Sequence, residues 1–291
     1  MSAYSVAVLG GLLGMVGWGF ADYFAKVSVD AIDELSALVW GHLGGTALLI
    51  VASATVASPR GRHTGLGIDI GVLVGLGILQ GVIYMLLYRG FGQGQVAPLS
   101  PVFASFSGIV AVFSIAFLGE RTTPTHAGTL AALFVGVVLL SSTDGVPLLR
   151  GLGRTPGFVP VAAAALLAAA WTLGWSRAVA GLGPLTSAAI MYASMTAFFL
   201  VVAILRRVDL RVPRPARTPL CGIGLGEATA YAGISWGYGA GSHASVVALL
   251  SGSFSLPTIL LAGFFLKERL GRRAMLGTVL VLVGGGVLAL A

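Results

Sequence analysis

The sequence predicts an all-α polytopic membrane protein of ten transmembrane helices, arranged as two inverted five-helix repeats. Three observations carry that expectation. Of 291 residues, 57% are apolar and 9% charged, whereas a soluble domain carries about 25% charged residues. The apolar residues fall in runs that are each about one bilayer long. The second half of the chain also echoes the first. A mean hydropathy of +0.97 leaves too little polar surface for a cytosolic enzyme, a secreted domain or a disordered scaffold. A single cysteine, Cys221, excludes a disulfide framework and a cysteine-rich metal site.

The runs fall at roughly 5–26, 35–57, 68–88, 96–118, 124–142, 158–180, 184–205, 218–238, 244–266 and 273–290. A membrane helix needs about 20 such residues. The strands of a membrane barrel would alternate apolar and polar positions, but Ala162–Ala170 holds Ala and Leu throughout. Met1–Tyr4 carries no positive charge and the first run ends in Asp22 and Lys26, so it reads as a membrane helix and not a cleaved leader.

The net charge is +7. Arginines concentrated in short loops reflect the positive-inside bias, with no need for a nucleic acid partner. Loops after odd-numbered runs hold 13 of the 17 Lys and Arg residues, which would place those loops in the cytoplasm. The 43 glycines suit helices that approach closely. Gly10–Gly14, Gly41-x3-Gly45 and Gly71-x3-Gly75 are therefore expected to be packing faces. So is Gly222–Gly226, whose likeness to a phosphate loop lacks the required preceding strand.

Self-comparison gives the internal organisation. Leu118-Gly119-Glu120-Arg121 recurs 148 positions later as Leu266-Lys267-Glu268-Arg269, and Gly90–Gly94 recurs at a shift of 147 as Gly237–Gly241. At 147, Gln80 falls on Glu227 and Tyr84 on Tyr231. Thr46-Ala47 matches Thr196-Ala197 at 150, and Trp18 and Asp22 match Trp171 and Trp175 at 153. The expected units are 1–145 and 155–291. Five helices is an odd number, so the second unit must enter the membrane from the opposite side. That is an architecture of secondary transporters.

With these motifs the chain resembles the drug/metabolite transporter superfamily, and each half is similar to an EamA-type domain. The resemblance implies carrier-mediated movement of a small metabolite, often export, across the cell membrane. It also implies cytoplasmic termini, opposite to the charge count. The second half departs from the pattern at its ninth run. Pro257 lies deep in that run, whereas Pro98 and Pro101 open the fourth.

Few polar residues lie inside the runs. Glu227 sits near the middle of the eighth, where an ionisable group costs about 2.5–3.5 kcal/mol to insert and is functional by default. The bland alternative is a protonated carboxyl bonded to a neighbouring helix. Asp22 shares a face with Trp18 and could instead pair with Lys26, four residues on. Taken with their repeat mates, Trp18, Asp22, Gln80, Tyr84, Trp171, Trp175, Glu227 and Tyr231 would converge from helices 1, 3, 6 and 8 as a substrate site, with Glu227 as coupling group. Trp40 and Trp236 fit the interfacial belt. Aromatic faces and carboxylates without a central Arg or Lys suit an ammonium, so a cationic or zwitterionic metabolite is expected, with proton or exchange coupling.

Among the histidines, His42 reads as an interhelical hydrogen bond and His243 as a gating or interfacial residue; His63 and His126 are peripheral. None has metal spacing. Glu120 and Glu268 read as helix caps or loop salt bridges. No Ser/His/Asp or His-Glu-x-x-His pattern occurs, so neither an enzyme nor a cofactor is expected. The expected partners are the bilayer, a small-molecule substrate and protons, with the chain a monomer or homodimer. A receptor or assembly subunit that retains the fold is the alternative.

Overall fold

A computed structural model describes residues 1–28, 32–56, 66–93, 96–142, 144–145, 155–241, 243–265, 267 and 271–290. These residues are almost wholly helical, with no strand among them. In lipid every backbone polar group must be satisfied within the protein, and a helix does so segment by segment.

The first half contains α1 (Ala3–Ser28), α2 (Glu34–Thr55), α3 (Leu66–Gln93), α4 (Val96–Ala104), α5 (Phe106–Phe117) and α6 (Pro124–Leu140). The second contains α7 (Phe158–Leu182), α8 (Pro184–Leu205), α9 (Arg217–Gly239), α10 (Ala244–Gly252), α11 (Ser255–Phe265) and α12 (Arg272–Leu290). The repeat seen in the sequence recurs in the boundaries. The span of α2 maps onto α8 at a shift of 150, and that of α4 onto α10 at a shift of 148. The chain is a two-repeat helical protein.

Eight helical stretches are long and apolar enough to cross a membrane, α4–α5 and α10–α11 each counting as one. The other two helices, α6 and α9, fall outside that group. Pro124–Leu140 has 17 residues, and the Gly-rich α9 carries Glu227 in its middle.

Helix pairing exchanges the halves. α1 packs along α9 as α7 packs along α3, and α2 meets α9 as α8 meets α3. Glycine sets the closest of these approaches. A Cβ on Gly17 would stand 2.5 Å from the Gly226 carbonyl oxygen, and one on Gly226 would stand 2.6 Å from that of Gly17. Gly10 meets Gly233 and Gly237 in the same way, so α1 and α9 run antiparallel. The expected packing faces at Gly10–Gly14, Gly41/Gly45 and Gly222–Gly226 are all in contact: Gly41 lies on Ile223, Gly45 on Tyr192 and Gly222 on Phe24. Gly71 and Gly75 correct the expectation. A Cβ on either would meet nothing within 4 Å, because that face of α3 points away from the bundle.

The start of α1 and the end of α7 lie at one end of the bundle. Gly10 abuts the last turn of α9, and Gly239 of that turn abuts Pro184, just after α7. Equivalent helices of the two halves therefore run in opposite directions.

Both fourth helices are broken, and at matching places. α4 gives way to α5 at Ser105, and α10 to α11 at Ser253–Phe254, 148–149 positions later. Proline cannot donate to the helix ladder, yet Pro101 and Pro257 lie on opposite sides of their breaks. The departure noted in the sequence thus leaves the break itself in register. Ser253 Oγ donates to Leu249 O at 2.8 Å and Thr258 Oγ1 to Phe254 O at 3.0 Å, re-satisfying carbonyls around the interruption.

Helix starts are capped across the repeat. Asp33 caps α2, accepting from Leu35 N at 2.9 Å and Ser36 N at 3.3 Å. Thr123 caps α6, accepting from His126 N at 3.2 Å. Its mate at the start of α12 is Gly271, which has no side chain to offer. There Asp144, from the segment after α6, accepts from Arg272 N at 2.5 Å and Arg273 N at 3.0 Å. Glu120 accepts from Ser245 N at 3.0 Å and from the Ser245 hydroxyl, capping α10; the cap reading of Glu120 holds. Glu268, His63 and the side chains of Lys26 and Pro98 lie outside the described residues.

Candidate functional site

The site is built where α1, α2, α3, α7, α8 and α9 converge. Glu227 lies ten residues into α9 and its side chain is 4% exposed. The flanking Gly226 and Gly224 press against α1 and α2, which holds this turn of α9 deep in the bundle. Tyr84 of α3 donates its hydroxyl to Glu227 Oε1 at 3.2 Å. The Trp18 indole N–H approaches the same carboxyl without reaching hydrogen-bond geometry.

Tyr231, one turn on from Glu227 and fully buried, is the hub of the aromatic enclosure. It meets Trp18 of α1 at 5.6 Å and 86°, Trp171 of α7 at 6.1 Å and 87°, and Tyr192 of α8 at 5.1 Å and 64°. Such edge-on packing is what ring quadrupoles favour. Trp171 stacks on Trp175 at 5.5 Å and 8° and donates to Leu76 O at 2.9 Å. Gln80, the repeat mate of Glu227, is buried and its amide approaches the Tyr231 hydroxyl.

Seven of the eight residues expected from the sequence therefore gather around Tyr231 and Glu227. Asp22 stands apart from the buried cluster. Its side chain is exposed, whereas the other seven are buried or half-buried. Trp40 and Trp236 are about two-fifths exposed, as belt residues should be.

The sequence reading missed His42 and Tyr192. They stack on each other at 5.1 Å and 14°, and His42 meets Tyr84 and Phe199 edge-on at 5.8 and 4.9 Å. A signal was present, since His42 falls on Tyr192 at the same shift of 150 that pairs Thr46 with Thr196. The expected interhelical bond of His42 is corrected: Nδ1 bonds Leu38 O of its own helix at 2.8 Å.

Buried polar groups normally find partners. In this cluster several have none among the described residues: acceptors Glu227 Oε2 and Gln80 Oε1, His42 Nε2, and donors on Trp18, Trp175, Tyr192 and Tyr231. The unpartnered groups of this cluster thus include both hydrogen-bond donors and acceptors.

His126 and His243 lie outside this cluster. Both pack on Tyr4 near the start of α1, one stacked at 5.5 Å and the other edge-on at 5.2 Å.

A comparison with curated proteins returned no match. Among solved structures, one crystal structure of a protein superposes with a TM-score of 0.77 at 18% identity, over 98% of this chain and 96% of the other; at that identity the likeness concerns the fold alone. The profile of the EamA-like transporter family matches twice, over residues 5–142 and 155–290. Together these matches span nearly the whole chain, which belongs to the EamA-like transporter family.

Proposed function

We propose that this multi-pass membrane protein is a secondary active carrier for a small cationic or zwitterionic metabolite, such as an amine, amino acid or drug-like cation. Coupling is to protons or exchange. The observation that carries the reading is Glu227, a carboxyl buried at the contact of the two halves, enclosed by aromatic side chains and mirrored by the neutral Gln80. Aromatic faces with a carboxylate attract an ammonium, whereas an anionic substrate would need fixed cations.

In this reading α6 and α9 complete a set of ten membrane helices. Units 1–145 and 155–291 form inverted repeats, supported by the opposite run of α1 and α7. Trp18, Asp22, Gln80, Tyr84, Trp171, Trp175, Glu227 and Tyr231 bind substrate, and Glu227 couples. The protein acts at the cell membrane. Uptake into proteoliposomes of a panel of labelled amines, amino acids and sugar phosphates, with and without an imposed pH gradient, tests this. Accumulation of amines that collapses with the gradient is expected. Accumulation of sugar phosphates alone would overturn the substrate class, and absence of any flux would favour a non-transporting receptor or assembly subunit.

A further inference from the structure

We propose that the site selects an ammonium that still bears N–H groups, in preference to a quaternary one, and that His42 is a specificity-determining acceptor. This rests on the carrier reading above.

His42 lies on α2 and is 1% exposed. A carbonyl oxygen only accepts, so the 2.8 Å bond to Leu38 O requires the proton on Nδ1. In the neutral ring Nε2 then keeps its lone pair and can only accept. Tyr192 on one face, and Tyr84 and Phe199 on its edges, lock the imidazole plane. Tyr84 links this ring to Glu227, since its hydroxyl donates to Oε1. Three acceptors without partners among the described residues thus come from three helices: His42 Nε2 of α2, Gln80 Oε1 of α3 and Glu227 Oε2 of α9.

The aromatic rings do not discriminate, because cation–π attraction serves methylated and unmethylated ammonium alike. The acceptors do. A primary ammonium brings three N–H donors, while a trimethylammonium brings none and would leave buried acceptors unpaired. Sites built to hydrogen-bond a group reject analogues that lack it far more strongly than apolar pockets discriminate size.

The test uses the full chain and four probes: phenethylammonium and its N-methyl, N,N-dimethyl and N,N,N-trimethyl forms. Calorimetry gives Kd, and proteoliposome uptake gives flux. Affinity should fall stepwise along the series, with roughly a tenfold or greater loss at the quaternary end. His42→Leu should shrink that ratio at least threefold by weakening the primary amine. His42→Gln, whose amide oxygen can accept, should restore part of it. Equal affinities across the series, or a ratio unchanged in His42→Leu, would overturn the proposal while flux of all four probes left the carrier reading standing. Neither binding nor flux of any probe would overturn the proposal, and the wider substrate panel above decides the carrier reading separately. The methylation series on the unaltered protein decides the matter even where a His42 variant fails to fold.

Discussion

Thr46 and Thr196, 150 positions apart and repeat mates, share a hydrogen bond of 2.8 Å between their hydroxyls. One turn earlier on the same helices, their neighbours His42 and Tyr192 are also mates and are stacked. Equivalent atoms can touch each other only on the axis that relates them, so the pseudo-twofold axis passes through the crossing of α2 and α8. Thr196 Oγ1 also bonds Tyr192 O at 2.9 Å, which ties the threonine pair to the aromatic enclosure.

This crossing predicts a coupled pair. Thr46→Val and Thr196→Val should each destabilise the protein by about 1 kcal/mol, the usual net worth of a hydrogen bond. The double variant should cost less than their sum, because each single change already breaks the shared bond. Unfolding in detergent, followed by tryptophan fluorescence, gives the three values. Strict additivity would show that the bond is absent in the protein.

Much of this arrangement can be read in the sequence, for a physical reason. Loops tolerate insertion and spans do not, so the offset drifts from 153 to 147 along the chain while each helix keeps its own register. Glu227 and its aromatic neighbours stand out because an apolar background makes polar residues conspicuous. Other features needed coordinates. Gly71-x3-Gly75 and Gly41-x3-Gly45 have the same spacing, yet just one of them faces a partner helix. Nothing local says which side of α3 is buried when both sides are apolar. The break at Ser105 was hidden because Pro101 and Pro257 do not align. The exchange of caps between halves was hidden as well, since Asp144 and Glu120 act on helices more than 120 residues away.

Glu120 offers a test of that exchange. It is buried and holds the first turn of α10 through both the backbone and the hydroxyl of Ser245. Glu120→Ala should cost about 2 kcal/mol, the scale for hydrogen bonds to a charged group. Ser245→Ala should cost less, because the backbone N–H can still be capped. Hydrogen exchange should speed at Ser245 in Glu120→Ala. Unchanged protection there would remove Glu120 from the cap.

Asp144 predicts a pH dependence with a definite sign. The backbone N–H of Arg273, then that of Arg272, holds its carboxyl below the ordinary aspartate value of 3.8. A depressed value in the folded state means that the carboxylate stabilises at all pH above the unfolded value. The contribution is lost as pH falls through the lower, folded value. The melting-temperature gap between the protein and Asp144→Asn should therefore be constant from neutrality to about pH 5 and close below about pH 4. A gap that widened on acidification would contradict the assignment.

The strongest prediction concerns Glu227. Tyr84 donates to Oε1, and Oε2 has no partner among the described residues. Glu227→Gln keeps an oxygen for Tyr84 and places an amide where nothing is lost, so folding should change by less than about 1 kcal/mol. The neutral mate Gln80 is itself buried at the repeat-related position. What the amide cannot do is ionise, and ionisation is what gradient coupling needs from this residue. In proteoliposomes, Glu227→Gln should lose uphill uptake driven by a pH gradient while retaining downhill exchange. Gln80→Glu on the same background would place a carboxyl at the related position and should recover part of the uphill flux. Wild-type uphill flux with unchanged pH dependence in Glu227→Gln would show that Glu227 is not the coupling group, and the exposed carboxyl of Asp22 would become the next candidate.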